Sequence, residues 1–312
     1  MEIIRGIESY PPDRRPTVVA LGTFDGVHRA HQKILATAVS RARSLGLAAL
    51  ASTFDPHPLE LLQPDRAPAP ITTLEENLTL MARQGLDTTV VIVFTLEFSR
   101  IEPEAFVRDV LHRTLKAREV VVGFNHTFGR GARGNAALLQ TLAPTLDFVV
   151  HVIPPMTVDG VTVSSSAIRQ ALQAGNVQLA IRFLGHPYTV RGRVARGKGR
   201  GRQLGFPTAN LRPERELILA SGVYAARAYW AGGEAGAVVN VGVRPTFGEG
   251  EYWVEAYLLD FSGDLYDQQL TLAFLRRIRP EQLFPSIEAL QSQLIRDIKT
   301  AARVLASTPE GG

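Results

Sequence analysis

The stretch TVVALGTFDGVHRAH, residues 17–31, decides the fold of the first half of this chain. A short apolar run ends at Gly22, a four-residue turn follows, and helical spacing begins near Val27. Short valine-rich runs are typical of strands that are buried on both faces. A helix that starts directly after such a turn presents free N–H groups and the positive end of its dipole. The stretch therefore predicts a strand–turn–helix with an anion-binding turn.

The rest of the first half repeats this alternation of short apolar runs and helical segments. Alternation of this kind predicts a parallel sheet with helices on both sides, a Rossmann-like α/β domain. Ligands of such sheets bind beyond the carboxyl ends of the strands, where the glycine-rich turns lie. The predicted strands are residues 17–22, 47–54, 88–94, 119–124 and 148–153, and the predicted helices are residues 27–45, 74–84, 103–115 and 135–142.

The pattern changes near residues 185–187, Gly-His-Pro. Strand-like runs then follow one another without helices between them, which predicts an antiparallel barrel with a terminal helix over about 286–306. We expect an α/β domain over residues 1–185, a barrel domain over 186–306 and a disordered tail over 307–312. The predicted barrel strands are residues 188–194, 222–230, 235–243, 252–261 and 269–278.

The composition narrows the class of protein. The chain has 312 residues, of which 45% are apolar, enough to fill the cores of two domains. The absence of cysteine excludes disulfides, thiolate metal sites and a cysteine nucleophile, and it fits a reducing cytoplasm. No apolar run reaches the roughly 18 residues of a membrane span. The net charge of +4 suits anionic small molecules and also admits nucleic acid. We expect a cytoplasmic protein that binds small molecules, neither nucleic acid nor a membrane, and the sequence predicts no oligomeric state.

Two histidines follow the first turn at a spacing of three residues. His28 and His31 would lie on one side of the first helical turns. There they could hold the phosphates of a nucleotide and stabilise charge on a leaving pyrophosphate. The alternatives are a capping turn with two exposed histidines, or a zinc site, which lacks further ligands close in sequence.

The same segment resembles the nucleotidyltransferase signature of bacterial FAD synthetases: a glycine, Phe-Asp, then His-x-Gly-His. Three more pieces match in order, at residues 54–58, 123–129 and 164–169. The resemblance implies a nucleotidyltransferase-like domain that converts FMN and ATP to FAD and pyrophosphate. It implies His28 and His31 as catalytic residues, Gly22, Phe24, Asp25, Gly26, Ser164, Ser165 and Arg169 as nucleotide-binding residues, and His57, Asn125 and Phe128 as flavin-binding residues.

One residue departs from that signature. Ala30 stands where the family pattern has glycine, and its methyl group would crowd a nucleotide that approaches the backbone. An alternative is therefore that the N-terminal half is a weak or inactive adenylyltransferase. FAD formation from supplied FMN would distinguish the two.

The glycine- and arginine-rich run RGRVARGKGRGR, residues 191–202, has three interpretations. A P-loop needs Ser or Thr after Lys198, where this chain has Gly199. A nucleic-acid tether is disfavoured because the run is short and lies inside the predicted barrel. The third interpretation is a phosphate-binding flap, since glycines let backbone amides approach a polyphosphate and cations neutralise it. Thr208 and Asn210 could add two oxygen ligands for Mg²⁺, on one side if the segment is extended.

The second half resembles riboflavin kinases at residues 205–211, 222–224, 240–242, 245–247, 255–261, 263–266 and 278–281. The resemblance implies that riboflavin and ATP give FMN and ADP, with no covalent enzyme intermediate. The alternative for the whole chain is then a riboflavin kinase with a weak or inactive adenylyltransferase half. Thr208 and Asn210 would hold Mg²⁺ with ATP, and Glu255 would be the base, its pKa raised by partial burial. Asp267 stands where the family often has glycine, in a turn that would need positive φ. The phosphate-binding residues would be Gly199, Arg202, Gly205 and Thr208.

Overall fold

The computed structural model describes residues 1–197, 201, 204–244 and 251–308, and its first half is built on a six-stranded sheet. All five predicted strands are present, and a short run at the N-terminus adds the sixth. In chain order the strands are β1 Glu2–Arg5, β2 Thr17–Leu21, β3 Ala48–Asp55, β4 Thr88–Val93, β5 Ala117–Gly123, β6 Thr127–Phe128, β7 Gly134–Asn135, β8 Val149–Ile153, β9 Thr157–Val158 and β10 Val161–Thr162.

The sheet has the order β1-β4-β3-β2-β5-β8, and each neighbouring pair in it is parallel. The predicted α/β class is therefore confirmed. Strand β1 was not predicted because it is a four-residue edge strand in which only Ile4 is buried. Two antiparallel pairs, β6 with β7 and β9 with β10, lie outside the sheet.

Helices lie on both sides of the sheet, at the predicted positions. They are α1 Arg29–Leu45, α2 Pro58–Leu62, α3 Leu74–Ala82, α4 Pro103–Ala105, a π-helix Phe106–Thr114 that continues α4, and α5 Ala136–Leu142. Shorter 3₁₀ turns are Ile7–Ser9, Asp25–Val27, Pro64–Arg66, Phe98–Arg100, Arg130–Ala132 and Ala143–Thr145. Successive residues of β2 pack on opposite sides of the sheet: Val19 lies in the apolar cluster of the π-helix, and Val18 lies in that of α1.

The order of the strands fixes where a ligand can bind. From the central strand β2 the chain proceeds to β3 and β4 on one side, and later to β5 and β8 on the other. The sheet therefore changes winding direction between β2 and β5, and ligands of such sheets bind beyond the carboxyl ends at that point. The turn after Leu21 and the loop after Gly123 lie at this edge. They contain two of the motifs singled out in the sequence.

A charged cluster lies on one side of the sheet, on α1, β5 and β8. The buried carboxylate of Glu119 accepts hydrogen bonds from Arg41 Nε (2.8 Å) and Nη2 (2.5 Å), and its Oε2 lies 2.8 Å from His151 Nε2. The Arg41 hydrogen bond lowers the pKa of Glu119, against the opposite effect of burial, and His151 lowers it further. The ionised carboxylate thus stabilises the folded state.

The pH dependence of stability tests this cluster. A carboxyl group whose pKa is lower in the folded than in the unfolded state stabilises the fold at any pH above its unfolded-state pKa, about 4.3. That stabilisation is lost as the pH falls through the lower, folded-state pKa. We expect Glu119→Gln to lower the free energy of unfolding by about 1–2 kcal/mol at pH 7, because Arg41 loses its charged partner. The difference from the unmodified chain should shrink below about pH 4. Urea unfolding at pH 7 and at pH 3.5 measures it, and an equal difference at both would contradict this role.

The second half forms a closed antiparallel barrel of six strands. In chain order they are β11 Tyr188–Ala195, β12 Ala209–Pro213, β13 Gly222–Trp230, β14 Gly233–Arg244, β15 Glu251–Leu258 and β16 Gln269–Arg279. Around the barrel they have the order β11-β12-β15-β14-β13-β16. The barrel prediction is confirmed. Strand β12, which was not among the predicted barrel strands, closes the barrel by pairing with β11 and β15. Gly192 lies within β11 rather than before a helix, which disagrees with a P-loop at this position.

The terminal helix packs on the outside of the barrel. After α6 Ser165–Gln173 and α7 Val177–Leu184, it is α8 Ile287–Ser307. Ser286 Oγ caps it by accepting from Ala289 N–H at 3.2 Å. Its Ala301 and Val304 join Val223 and Val238 of the barrel in an apolar cluster. The helix reaches residue 307, and Thr308 N–H donates to Leu305 O at 3.2 Å, so residues 307 and 308, which were predicted to be disordered, are ordered. Residues 309–312 lie outside the described residues.

The chain is divided into two compact units. The first unit is Met1–Pro68 with Thr72–Ser164, and the second unit is Ala69–Ile71 with Ser165–Gly312. Helices α6 and α7 therefore belong with the barrel, whereas the predicted domain boundary follows residue 185. The reason is packing within the second unit: Leu172 O accepts from Ala220 N–H at 3.1 Å, and Phe183 and Leu184 are fully buried.

Candidate active sites

The turn after β2 has a strained backbone that its buried side chains hold in place. Phe24 and Val27 adopt positive φ, 51° and 35°, although neither is glycine. Both side chains are fully buried in the apolar cluster of α1, which stabilises this conformation. A Cβ at Gly22 would lie 3.1 Å from the Phe24 ring, and Gly26 also has positive φ. The predicted glycines therefore permit the shape of the turn.

A buried hydrogen-bond network lies beneath this turn. Gly26 N–H donates to Thr72 Oγ1 (2.9 Å) and to Asn77 Oδ1 (3.1 Å), and Asp25 Oδ1 accepts from Thr72 N–H at 3.3 Å. Thr72 Oγ1 in turn donates to Asn77 Oδ1 at 2.6 Å. Asp25 is buried within this network. Its environment favours a role in positioning the turn over contact with a phosphate.

The two histidines stack at the start of α1. Their ring centroids are 3.5 Å apart with an interplanar angle of 15°. His28 is only 4% exposed and caps α1, its Nδ1 accepting from His31 N–H at 3.3 Å. A neutral His28 therefore holds its proton on Nε2. Burial, and then the charge of His28, lower the pKa of His31 well below 6.5. His31 is thus neutral at pH 7, and its Nδ1 is buried without a hydrogen-bond partner in the described ranges.

The sequence left two alternatives for this histidine pair, a capping turn with exposed side chains and a zinc site. His28 does cap a helix, but it is buried, so a turn with two exposed histidines is wrong. Among the residues that the structure describes, no group of three or more His, Cys, Asp or Glu side chains could hold a metal ion. Ala30 lies in the first turn of α1, half-buried. That the methyl group of Ala30 weakens the binding of a nucleotide stays a prediction.

The predicted flavin-binding residues differ in their surroundings. His57 caps α2, its Nδ1 accepting from Leu59 N–H at 3.2 Å, and Asn125 is exposed in the loop after β5. Phe128 is only 7% exposed and packs 5.4 Å from the Phe106 ring in the core. The loops that contain His57 and Asn125 follow β3 and β5, the two neighbours of the central strand β2. Both loops therefore lie at the carboxyl edge of the sheet. Asn125 is therefore available to a ligand there, whereas the burial of Phe128 favours packing.

The serine–arginine motif is divided between the units. Ser164 ends the first unit, and Ser165 and Arg169 lie in the second, on α6. Arg169 Nε donates to Ala69 O at 2.8 Å, also within the second unit. The phosphate-binding role of these three residues stays a prediction.

On the barrel, three polar residues form one row across neighbouring strands. Glu255 of β15 is directly opposite Asn210 of β12 and also directly opposite Asn240 of β14. Residues directly opposite each other in a sheet share one face. Val254 and Ala256 on either side of Glu255 are buried, so the row lies on the opposite face of β15 from these two.

Two cavities adjoin Thr208, and Asn240 and Glu255 of this row line one of them. One, of about 280 Å³, is lined by Thr208, Asn240 and Glu255 together with apolar residues of β13, β14 and α8. The other, of about 380 Å³, is lined by Thr208, Ala209 and the segment 261–266. Thr208 lines both cavities. A group bound in one cavity can thus meet a group bound in the other beside this threonine.

The glycines before β12 allow the chain to pass close to the predicted metal ligands. A Cβ at Gly197 would overlap the side-chain amide of Asn210. A Cβ at Gly201 would overlap the carbonyl oxygen of Phe206 and lie 3.2 Å from Thr208 Oγ1. Gly205 has φ +83°, a conformation that favours glycine. The predicted phosphate-binding residues Gly199 and Arg202, and the motif at 245–247, lie outside the described residues.

An ion pair joins the barrel to α8 at the cavity wall. Arg279 Nε donates to both oxygens of Asp297 (3.1 and 3.0 Å), and its Nη2 donates to Oδ2 at 2.8 Å. Asp297 is buried, and Arg279 lines the smaller cavity. No role is predicted from the sequence for Arg279, Asp297 or Asn240, although Arg279 and Asn240 lie within the motifs that resemble riboflavin kinases. Asp267 adopts φ 61°, so the expected positive-φ turn is confirmed.

Comparisons with known proteins match both halves of the chain. The family model for FAD synthetase matches residues 10–167, and that for riboflavin kinase matches residues 184–305. A Pseudomonas fluorescens protein named bifunctional riboflavin kinase/FMN adenylyltransferase is 37% identical over 308 residues, covering 98% of each chain. Proteins of that name from Escherichia coli K12 and Bacillus subtilis 168 are 36% and 35% identical, covering at least 94% of each chain. A crystal structure titled "Macrolide-efflux Protein from Streptococcus pneumoniae" superposes with a TM-score of 0.89 at 30% identity, covering 97% of this chain and 99% of that one.

The α/β unit with its turn at the sheet edge and the barrel with its paired cavities define a two-domain, nucleotide-dependent transferase. Both domains and the full-length relatives agree on a single family. The chain belongs to the bifunctional riboflavin kinase/FMN adenylyltransferases. In the described part of the chain, no helix is both long and apolar enough to span a membrane.

Proposed function

We propose that the second unit phosphorylates riboflavin with ATP to give FMN and ADP, and that the first unit converts FMN and ATP to FAD and pyrophosphate. The two activities, riboflavin kinase and FMN adenylyltransferase, are those of the family. The proposal concerns which unit and which residues perform each. The observation on which it rests is that Glu255 and Asn240 line a cavity which shares Thr208 with a second cavity, while Glu255 is directly opposite Asn210 in the strand register.

The smaller cavity has the character of a flavin site. Its walls include Val223, Val238 and Leu290, and the polar residues Glu255 and Thr208 also line it. Its volume of about 280 Å³ is close to the lower end of ligand pockets, about 300–1,000 Å³. An isoalloxazine ring suits the apolar walls, and its ribityl chain suits the polar row. The larger cavity then receives ATP, so that the phosphate to be transferred lies beside Thr208.

In this arrangement Glu255 accepts the proton of the terminal ribityl hydroxyl. The hydroxyl oxygen forms a bond to the γ-phosphorus of ATP, the bond from that phosphorus to the ADP oxygen breaks, and the proton passes to the carboxylate. No covalent intermediate with the enzyme is needed. The side chain of Glu255 is half-buried, which limits competition from water.

Thr208 and Asn210 fit a magnesium ion that arrives with ATP. Mg²⁺ takes oxygen ligands, and these side chains offer a hydroxyl and an amide oxygen close to the glycine-rich segment. Both donors are neutral, so phosphate oxygens must supply the negative charge. When bound, the ion neutralises charge on the phosphates. The two side chains orient the phosphate chain toward the hydroxyl.

In the first unit the reaction needs donors more than a base. The phosphate of FMN is already largely ionised at pH 7, since its second pKa is about 6. Its oxygen attacks the α-phosphorus of ATP, and pyrophosphate leaves. His28 donates from Nε2 and His31 donates as a neutral imidazole, so each stabilises charge on the phosphates without giving up a proton. The exposed Phe124, 48% accessible in the loop after β5, offers a surface for the flavin ring.

Separate assays of the two half-reactions test the assignment. We expect Thr208→Val and Asn210→Ala each to lower FMN formation from riboflavin and MgATP by about 10²-fold, the scale for a lost transition-state contact. FAD formation from supplied FMN should be unchanged in both variants. EDTA should abolish FMN formation by the unmodified chain. Loss of FAD formation in these variants, or full activity in EDTA, would contradict the proposal.

A further inference from the structure

Asn240 is a polar residue at the cavity wall that the mechanism above does not use. It lies on β14, between Val223 of β13 and Glu255 of β15, directly opposite each in the strand register. All three side chains line the cavity of about 280 Å³. The amide oxygen of Asn240 is buried and accepts no hydrogen bond from any residue that the structure describes.

A buried amide oxygen without a donor is unfavourable, and native structures retain few of them. The neighbours of Asn240 supply none: Val223 on one side is apolar, and Glu255 on the other, as the base of the proposed reaction, is a carboxylate without a proton to donate. We therefore expect the ligand that occupies the cavity to donate a hydrogen bond to this oxygen. A hydroxyl group is a small, neutral donor that can do so.

We propose that Asn240 is a specificity-determining residue of the kinase site, which accepts a hydrogen bond from a secondary hydroxyl of the ribityl chain. This inference rests on the proposed kinase function. Side chains directly opposite each other have Cβ atoms about 4.5–5.5 Å apart. A polyol chain whose terminal hydroxyl meets Glu255 therefore brings a neighbouring hydroxyl within reach of Asn240. Flavins without these hydroxyls would leave the amide oxygen unpaired.

A substrate comparison tests this contact. Its probe is the hydroxypentyl analogue of riboflavin, which keeps the ring system and the terminal hydroxyl but lacks the secondary hydroxyls. The unmodified chain should phosphorylate riboflavin with a kcat/KM well above that for the analogue. Asn240→Ala should reduce this preference by about 5- to 100-fold, the range for leaving one buried polar group unpaired. The loss should fall on riboflavin, mainly in KM, and leave the analogue little changed.

Two further variants separate this contact from a structural role. Val238→Ala changes the same cavity, two residues earlier on β14, without removing a hydrogen-bonding group. It should alter both substrates alike and keep their ratio. Asn240→Asp keeps an acceptor oxygen and should also keep the preference, because any change that it causes in the protonation of Glu255 acts on both substrates and cancels in the ratio.

The outcomes are distinct. Equal losses on both substrates in Asn240→Ala, or no preference in the unmodified chain, would overturn the inference while leaving the kinase assignment intact. If Asn240→Ala does not fold, Asn240→Asp decides, since loss of the preference in that variant also overturns the inference. Failure of the unmodified chain to phosphorylate riboflavin would instead overturn the proposed function, and the inference with it.

Discussion

Glu255→Gln is expected to lower riboflavin phosphorylation by about 10²-fold or more, the usual range for general-base catalysis. Glutamine keeps the shape of the side chain and can still hold the hydroxyl, but it cannot accept the proton at neutral pH. Riboflavin binding should therefore change little, so the loss should appear in kcat. Steady-state kinetics with saturating MgATP, together with riboflavin binding followed by flavin fluorescence, measure both quantities.

The internal control for Glu255→Gln is the other half-reaction. FAD formation from supplied FMN should be unchanged, because that chemistry is assigned to the first unit. A purely structural role of Glu255 predicts lower thermal stability with normal turnover per folded molecule. Full riboflavin kinase turnover by the variant would remove Glu255 from the mechanism as the base.

His28→Asn and His31→Ala are each expected to lower FAD formation from FMN by about 10²- to 10³-fold, the cost of removing one preorganised donor to developing charge. Asparagine is chosen for His28 because it is a good N-cap, so α1 keeps its cap while the imidazole is lost. Initial rates of FAD and pyrophosphate formation under saturating MgATP measure the effect.

Riboflavin phosphorylation is the control for both histidine variants and should remain at the level of the unmodified chain. The low pKa of His31 adds a second check: between pH 6 and 8 this side chain stays neutral, so its titration should not appear in the pH profile of adenylylation. Near-normal adenylylation by both variants would count against the donor roles.

Most of the architecture could be predicted from the sequence because its signals are local. Valine-rich runs that alternate with helical spacing predict the parallel sheet. Strand-like runs without helices between them predict the barrel. Strand β1 could not be predicted because only one of its four residues is buried. Strand β12 could not be predicted because it contains a proline and follows a glycine-rich run. Both are recognisable only from the strands with which they pair.

Glu255, Thr208 and Asn210 could be proposed from motifs, and their roles stay predictions. The position of Asn240 beside Glu255 depends on strand register, which the sequence does not show. The pairing of Arg279 with Asp297 likewise depends on how α8 packs on the barrel. The burial of Phe128 depends on tertiary packing too, and its flavin-binding role stays a prediction.

One chain is proposed to perform both reactions in sequence. A single time course with the unmodified chain, riboflavin and MgATP measures this, with chromatography of the flavins and assay of ADP and pyrophosphate. FMN should appear first with matching ADP, and FAD should then appear with matching pyrophosphate while FMN declines. Accumulation of FMN without FAD, including when FMN is supplied directly, would contradict this proposal, as would the absence of any FMN.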